Sequence, residues 1–208
     1  RCIIPYINEG IRMVAEGVAP ALIDNAARQL GFPVGPLQLV DETSIDLGVK
    51  IARATKAAMG DAYPDGAVDE VIFWLADEGR MGRKAAAGFY DYEDGKRTTL
   101  WSGLSELFPV AEKQIPIEDV RDRMLFSEAL ETAKCFEEGV IESSAAAYIG
   151  SIMGIGFPPN TGGAAQFMTG YEHPVTGEIG LQAFCLRADE LAKLYGERFE
   201  PTAWLRDL

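Results

Sequence analysis

The 208-residue sequence predicts an all-α fold, two tandem and related helical domains packed as a pseudo-dimer. Three observations carry that expectation. One run of residues occurs twice: Glu16-Gly17-Val18, an alanine-rich stretch and Gly31-Phe32-Pro33-Val34-Gly35-Pro36 return as Glu138-Gly139-Val140, a second alanine-rich stretch and Gly156-Phe157-Pro158-Pro159. A glutamate stands seven residues before each Glu-Gly pair, Glu9 in the first copy and Glu131 in the second. Self-similarity over roughly a hundred residues marks a duplicated unit, and related surfaces can pair as an isologous dimer does. Apolar residues recur at helical spacing, as in Ile3, Ile7, Ile11, Val14 and Val18. Strand-like alternation is confined to Gly88-Phe89-Tyr90-Asp91-Tyr92.

The elements follow in order. A helix already running at Ile3 ends near Gly17, and Pro20 opens the next, where its missing N–H costs nothing. Ala21 to Leu30 is helical and stops at Gly31, and the two prolines and two glycines of residues 31–36 force a fixed corner. Leu37 to Val40, Ile45 to Met59 (stopped by Gly60) and Ala67 to Asp77 are further helices. Gly95, Gly103, Pro109 and Pro116 then break the pattern, which places a linker at about 93–116 between a first domain at 1–100 and a second at 117–208. The second opens on a long helix, Ile117 to Glu138. A helix capped by Ser143 or Ser144 runs to Ile152, a short one to Met168, and another from about Glu178 to Tyr195, with one more turn in the tail.

Composition narrows the function. A formal charge of −13 opposes a nucleic-acid or anionic-membrane partner. Asn8, Glu9 and Arg12 interrupt the first apolar run as no signal peptide does, and no apolar stretch approaches the ~20 residues of a membrane span. Three widely spaced cysteines, Cys2, Cys135 and Cys185, fit buried thiols in a reducing compartment better than a disulfide framework. The chain opens in mid-helix without an initiator methionine, so it is expected to be the C-terminal piece of something longer.

No phosphate-binding glycine motif, zinc-protease motif or paired Cys-x-x-Cys is present. The single histidine, His173, lies between Glu172 and Pro174 and reads as a surface or partly packed loop residue rather than a catalyst. A self-contained active site is not expected, and neither is a metal. The basic turn Arg80-Met81-Gly82-Arg83-Lys84 offers cations to a phosphate-bearing ligand, or complements a helix C-terminus as a solvated turn. The two Gly-Phe-Pro corners line an apolar cleft or let helices approach closely. Asp41 and Asp46 read as helix caps, and Glu9 and Glu131, on apolar helices, as carboxylates bonded to backbone amides.

Together, Pro5-Tyr6-Ile7-Asn8-Glu9, Ile23-Asp24, the corner 31–36, Leu39, Asp41, Asp46, Gly82-Arg83-Lys84 and Gly88-Phe89-Tyr90-Asp91-Tyr92 resemble the C-terminal domain of 3-hydroxyacyl-CoA dehydrogenases, a domain like that of 6-phosphogluconate dehydrogenase. The second half resembles a degenerate copy of it. That tandem is the arrangement of the multifunctional α-subunit of the bacterial fatty-acid oxidation complex and of peroxisomal bifunctional enzymes.

The resemblance implies NAD-dependent oxidation of (S)-3-hydroxyacyl-CoA in fatty-acid β-oxidation, in the cytoplasm, or the peroxisome of a eukaryote. It implies a parent that also carries enoyl-CoA hydratase activity, with NAD and the catalytic His–Glu pair held by an upstream Rossmann domain. This part would then contribute no catalytic residue; it would shape the acyl-CoA site and close the NAD cleft. Lys84 matches the family's cofactor-contacting lysine, and the family's substrate-contacting asparagine precedes the position of Arg1. Pro33, Gly35, Pro36, Met153, Phe157 and Pro158 are the implied substrate-contacting positions, Met153 standing where some relatives have tyrosine. Implied partners are the upstream domains, acyl-CoA, and a thiolase subunit or a second copy. The alternatives are a non-catalytic helical dimerisation module, or another β-hydroxyacid dehydrogenase with a similar all-α domain.

Overall fold

The computed structural model describes residues 1–63 and 66–208, and they fall into two compact units. One unit is formed by Ile7–Ala27 and Val34–Ile115, the other by Arg1–Tyr6, Arg28–Pro33 and Pro116–Leu208. Helices dominate both. The N-terminal part carries α1 (Ile3–Ala15), α2 (Pro20–Leu30), α3 (Pro36–Thr43), α4 (Ile45–Met59), α5 (Ala67–Asp77), a hairpin of β1 (Tyr90–Glu93) and β2 (Lys96–Leu100), and α6 (Leu104–Leu107). The remainder carries α7 (Ile117–Glu137), α8 (Ser144–Ile149), α9 (Ala164–Thr169), α10 (Leu181–Tyr195) and α11 (Ala203–Arg206).

The repeated Glu-Gly-Val is one helix stop used twice. At the end of α1, Val18 N–H bonds to Met13 O and Gly17 N–H to Val14 O. At the end of α7, Val140 N–H bonds to Cys135 O and Gly139 N–H to Phe136 O. This double bond pattern needs a left-handed residue between helix and exit, and Gly17 and Gly139 supply it at φ +85° and +69°.

In the unit of residues 7–27 and 34–115, the apolar stripes of α1, α2, α3 and α5 close a core on Ile11, Val14, Ile23, Leu37, Leu75 and Phe89. Beside it, Trp74 of α5 stacks on Trp101 at 5.1 Å and meets the edge of Phe108 at 5.6 Å. The stretch at 93–116, expected to be loosely built, contains β2 and α6. Lys96-Arg97-Thr98-Thr99-Leu100 has no apolar alternation; it is a strand because β1 supplies a partner, Tyr92 opposite Arg97 and Glu93 opposite Lys96.

In the other unit, Phe126 of α7 lies flat on Phe184 of α10 at 4.3 Å, and Phe167 and Tyr171 set their edges against both. Such aromatic contacts add to the area they bury. Ser143, one of the two expected caps, accepts a hydrogen bond from Ala146 N–H at 3.2 Å. The helix expected to reach Ile152 ends at Ile149 and widens into a π-turn, Gly150–Gly154. The last long helix starts at Leu181 rather than near Glu178, because Ile179 is bridged to Glu172. Among the described residues, no helix is long and apolar enough to cross a membrane.

Candidate functional site

The basic turn after α5 is built by removing cations from it one at a time. Arg80 is buried: its Nε donates to Gly88 O at 2.7 Å, one Nη donates to Asp91 Oδ1 at 2.6 Å, and its guanidinium lies 4.2 Å over the Trp101 ring. Arg83 is pinned by Glu42 at 2.7 Å and by the carbonyl of Gly95 at 3.0 Å. Lys84, exposed on the one-turn 3-10 helix Arg83–Ala85, is the cation of the three that has no ion pair among the described residues. The expected cluster of three charges is therefore one presented ammonium on a cross-braced scaffold.

That scaffold rests on two buried aspartates. Asp41, 1% exposed, accepts from Phe89 N–H (2.8 Å), Tyr90 N–H (3.0 Å) and the Tyr92 hydroxyl (3.0 Å). It sits in the last turns of α3 and caps nothing, which corrects the sequence expectation; the Gly-Phe-Tyr-Asp-Tyr segment is what it holds. Gly88 is glycine for the same reason, since a Cβ there would fall 2.0 Å from Asp41 Oδ1. At Gly82 a Cβ would fall 2.5 Å from Asp41 O, so the turn that carries Lys84 lies directly on α3. Burial pushes the Asp41 carboxyl up to about 6, against the pull of the three donors.

Asp24 of α2 repeats the arrangement. It accepts from Leu37 N–H (2.9 Å), Gln38 N–H (3.1 Å) and the Tyr90 hydroxyl (2.8 Å). It thus supplies from another helix the cap that Gly35, at the N-terminus of α3, cannot. Gly35 leaves the room: a Cβ there would lie 2.4 Å from Asp24 Oδ1. Pro36 is buried against Gly10 in the same way. Gly35 and Pro36, expected to contact substrate, are placed inside their unit by this packing.

The remaining expected positions lie in the unit containing α7. Phe32 stacks on Tyr6 at 4.4 Å and meets the edge of Phe157 at 5.9 Å, so the phenylalanines of the two corners touch. The corners pack reciprocally, Gly31 against Pro158 and Gly156 against Pro33, which is the contact pattern of an isologous pair. Phe157 and Pro158 are consequently buried, whereas Pro33 is exposed and Met153, in the π-turn, is 81% exposed. Those two, with Pro159, are apolar groups that the corners and the π-turn offer to solvent.

His173 is a turn clasp. Its Nδ1 accepts from Val175 N–H (3.2 Å) and Thr176 N–H (3.3 Å), which puts the proton on Nε2, 3.3 Å from Glu190 Oε1. The sequence reading missed the polar cluster next to it, centred on Arg187 and spanning α7 and α10. It also missed Glu128 on α7, fully buried, its carboxyl oxygens without a hydrogen-bond partner among the described residues and pushed well above the usual carboxylate range by desolvation. Glu131 pairs with Arg1 instead of a backbone amide, and Glu9 has Arg12 at 3.9 Å. Among the described residues, no group of three His, Cys, Asp or Glu side chains gathers as a metal site.

Comparison with known proteins places this geometry. Residues 1–92, from α1 through the Asp41-held segment and the Lys84 turn, match the family model of the 3-hydroxyacyl-CoA dehydrogenase C-terminal domain. The dehydrogenase part of multifunctional enzyme 1 from C. elegans superposes with a TM-score of 0.68 at 23% identity, over 97% of this chain and 45% of that one. The 3-hydroxybutyryl-CoA dehydrogenase of Escherichia coli K12 superposes with a TM-score of 0.67 at 20% identity, over 100% of this chain and 58% of that one. The chain thus spans about half the length of these solved structures and shares their fold throughout. Residues 1–92 thus resemble the 3-hydroxyacyl-CoA dehydrogenase C-terminal domain, within an all-α chain that shares the fold of these two solved structures.

Proposed function

We propose that this chain is the helical part of an NAD-dependent (S)-3-hydroxyacyl-CoA dehydrogenase of fatty-acid β-oxidation, from a multifunctional enzyme with enoyl-CoA hydratase activity. The observation that carries the reading is Lys84: an exposed ammonium without an ion pair among the described residues, on a turn held by Asp41, inside the family-matched segment. NAD supplies the hydride acceptor. Toward it this chain offers a cation suited to a phosphate or a polar edge, and no nucleotide-binding strand–glycine–helix unit. The geometry fits a domain that closes over a cofactor held elsewhere. Met153 and Pro33 give the acyl thioester an apolar surface. Upstream Rossmann and hydratase domains, and a thiolase subunit or a second copy, are the partners of this reading.

Two measurements test it. The chain by itself is expected to show no oxidation of NADH with acetoacetyl-CoA, because the proton-transferring pair lies outside it; turnover by the purified chain overturns the division of labour. In the complete enzyme, Lys84→Ala is expected to raise KM for NAD about tenfold, the scale of one hydrogen bond to a charged group. Since Lys84 holds no ion pair among the described residues, the thermal midpoint should stay within about 1 °C of the parent. An unchanged KM removes Lys84 from the cofactor's surroundings.

A further inference from the structure

The geometry points to Cys2 and Cys135 as an oxidation site, two thiols placed to close a reversible disulfide. Their sulfurs stand 3.7 Å apart although 133 residues separate them in sequence. Both are free thiols, Cys2 half-buried and Cys135 buried beneath it on the inner face of α7. A disulfide needs about 2.05 Å between sulfurs, so bond formation requires the two sulfurs to move closer together.

A second observation holds the pair together. Arg1, next to Cys2, is clasped by Glu131 and by Glu138, whose Oε1 accepts from one Nη at 2.8 Å. Glu131, Cys135 and Glu138 follow at helical spacing of four and three, so one face of α7 and its end carries both the anchor for Arg1 and the thiol for Cys2. Arg1 is thus fastened where the sulfurs meet.

The chemistry balances with a hydroperoxide as oxidant. The thiolate of Cys2, the sulfur solvent reaches, attacks the peroxide O–O bond, forming a sulfenic acid and releasing hydroxide. Cys135 then attacks that sulfur, the S–O bond breaks, and water leaves with the thiol proton. The net change is two thiols and one hydrogen peroxide to one disulfide and two waters. Burial and the neighbouring thiol push Cys135 up to about 11, so the second step quickens with base. A disulfide of this kind in a thiol-reducing compartment is a transient, reversible mark rather than a permanent staple.

The test uses the full chain treated with hydrogen peroxide, alkylated under denaturing conditions and digested with a glutamate-specific protease. Cleavage after glutamate places the three cysteines on separate peptides, 1–9, 132–137 and 179–190. Expected is a linked pair of 1–9 with 132–137, two hydrogens lighter than its parts and released by dithiothreitol, while Cys185 stays alkylatable. Closing so long a loop should also raise the thermal midpoint of the oxidised chain by roughly 5 °C or more over the reduced chain. Cys2→Ser and Cys135→Ser should each abolish the link, and Cys185→Ser should keep it. Sulfinic acid on Cys2 with no linked peptide, links involving Cys185, or links only between molecules on a non-reducing gel overturn the proposal. None of these outcomes bears on the dehydrogenase reading.

Discussion

Replacing Asp41 by alanine is expected to destabilise its unit by about 4 kcal/mol, with a drop of roughly 10 °C in thermal midpoint. The carboxylate is the acceptor for two backbone N–H groups and one hydroxyl in a place that water does not reach. Alanine leaves those donors unpaired in the core, and the cost is their desolvation rather than the mean worth of a hydrogen bond. The loss has a local reporter: the stacked pair Trp74 and Trp101 sits beside Arg80, which itself bonds to Gly88 O and Tyr90 O of the Asp41-held segment. Its exciton signal in the ultraviolet circular dichroism should fade before the bulk of the helix signal does.

Asparagine at the same position is a different experiment. Burial raises the Asp41 carboxyl to about 6, so the folded state holds that proton more tightly than the unfolded chain, where aspartate titrates near ~3.9. Folding stability from this group is therefore greatest below pH ~4 and declines as pH rises to about 6. Asp41→Asn, the shape of the protonated form, should lose much less stability than alanine at pH 7 and should lack that decline. Asp24 and Asp122 are shifted in the same direction, so the readout is the difference between parent and variant across pH 4–7. Parallel curves for the two proteins would show that Asp41 does not titrate in that window.

These residues also show where sequence reasoning stops. Helices were legible wherever one apolar face repeats every three or four residues, as in α1 and α5. The repeated Glu-Gly-Val and Gly-Phe-Pro segments were legible as stops and corners because their geometry is local. Asp41 was not, since its partners Phe89 and Tyr90 lie 48 and 49 residues on, and an aspartate near a helix end reads as a cap from its neighbours alone. The basic turn suffered likewise: three cations in five residues read as one cluster, and distant Glu42 together with Gly88, Asp91 and Gly95 decide which of them stays available. The second strand of the hairpin carries no pattern of its own and exists by pairing. Gly35 was read as part of a possible ligand surface, and only the position of Asp24 explains its missing side chain.

In the other unit, Arg187→Leu is expected to cost about 3–5 kcal/mol, the range for removing one member of a buried ion cluster. Its guanidinium donates from Nε to Asp122 at 2.7 Å, from one Nη to Asp119 at 2.6 Å and from the other to Glu190 at 3.1 Å. The hydroxyls of Tyr195 and Tyr171 donate to the same two aspartates, on Asp119 and Asp122 respectively. Arg187 thus ties α10 to the first turns of α7 with a planar fork that three carboxylates fit. Lysine, a single point donor, should recover only part of the loss. Without the arginine, Asp119 and Asp122 are left as two acidic groups a turn apart on α7 with hydroxyls alone for partners. Desolvation already raises Asp122 while Arg187 lowers it; removing Arg187 raises it further. The variant should therefore be least impaired near pH 5 and most impaired near pH 8, where the unfolded state gains by ionising. Adding Asp119→Asn and Asp122→Asn to the leucine variant removes the stranded charges, so the triple variant should be more stable than Arg187→Leu at pH 8. Urea titrations at the two pH values, followed by fluorescence of Trp204 on α11, measure this unit. If the asparagines lower stability further at pH 8, the cluster acts through shape and hydrogen bonding rather than through charge.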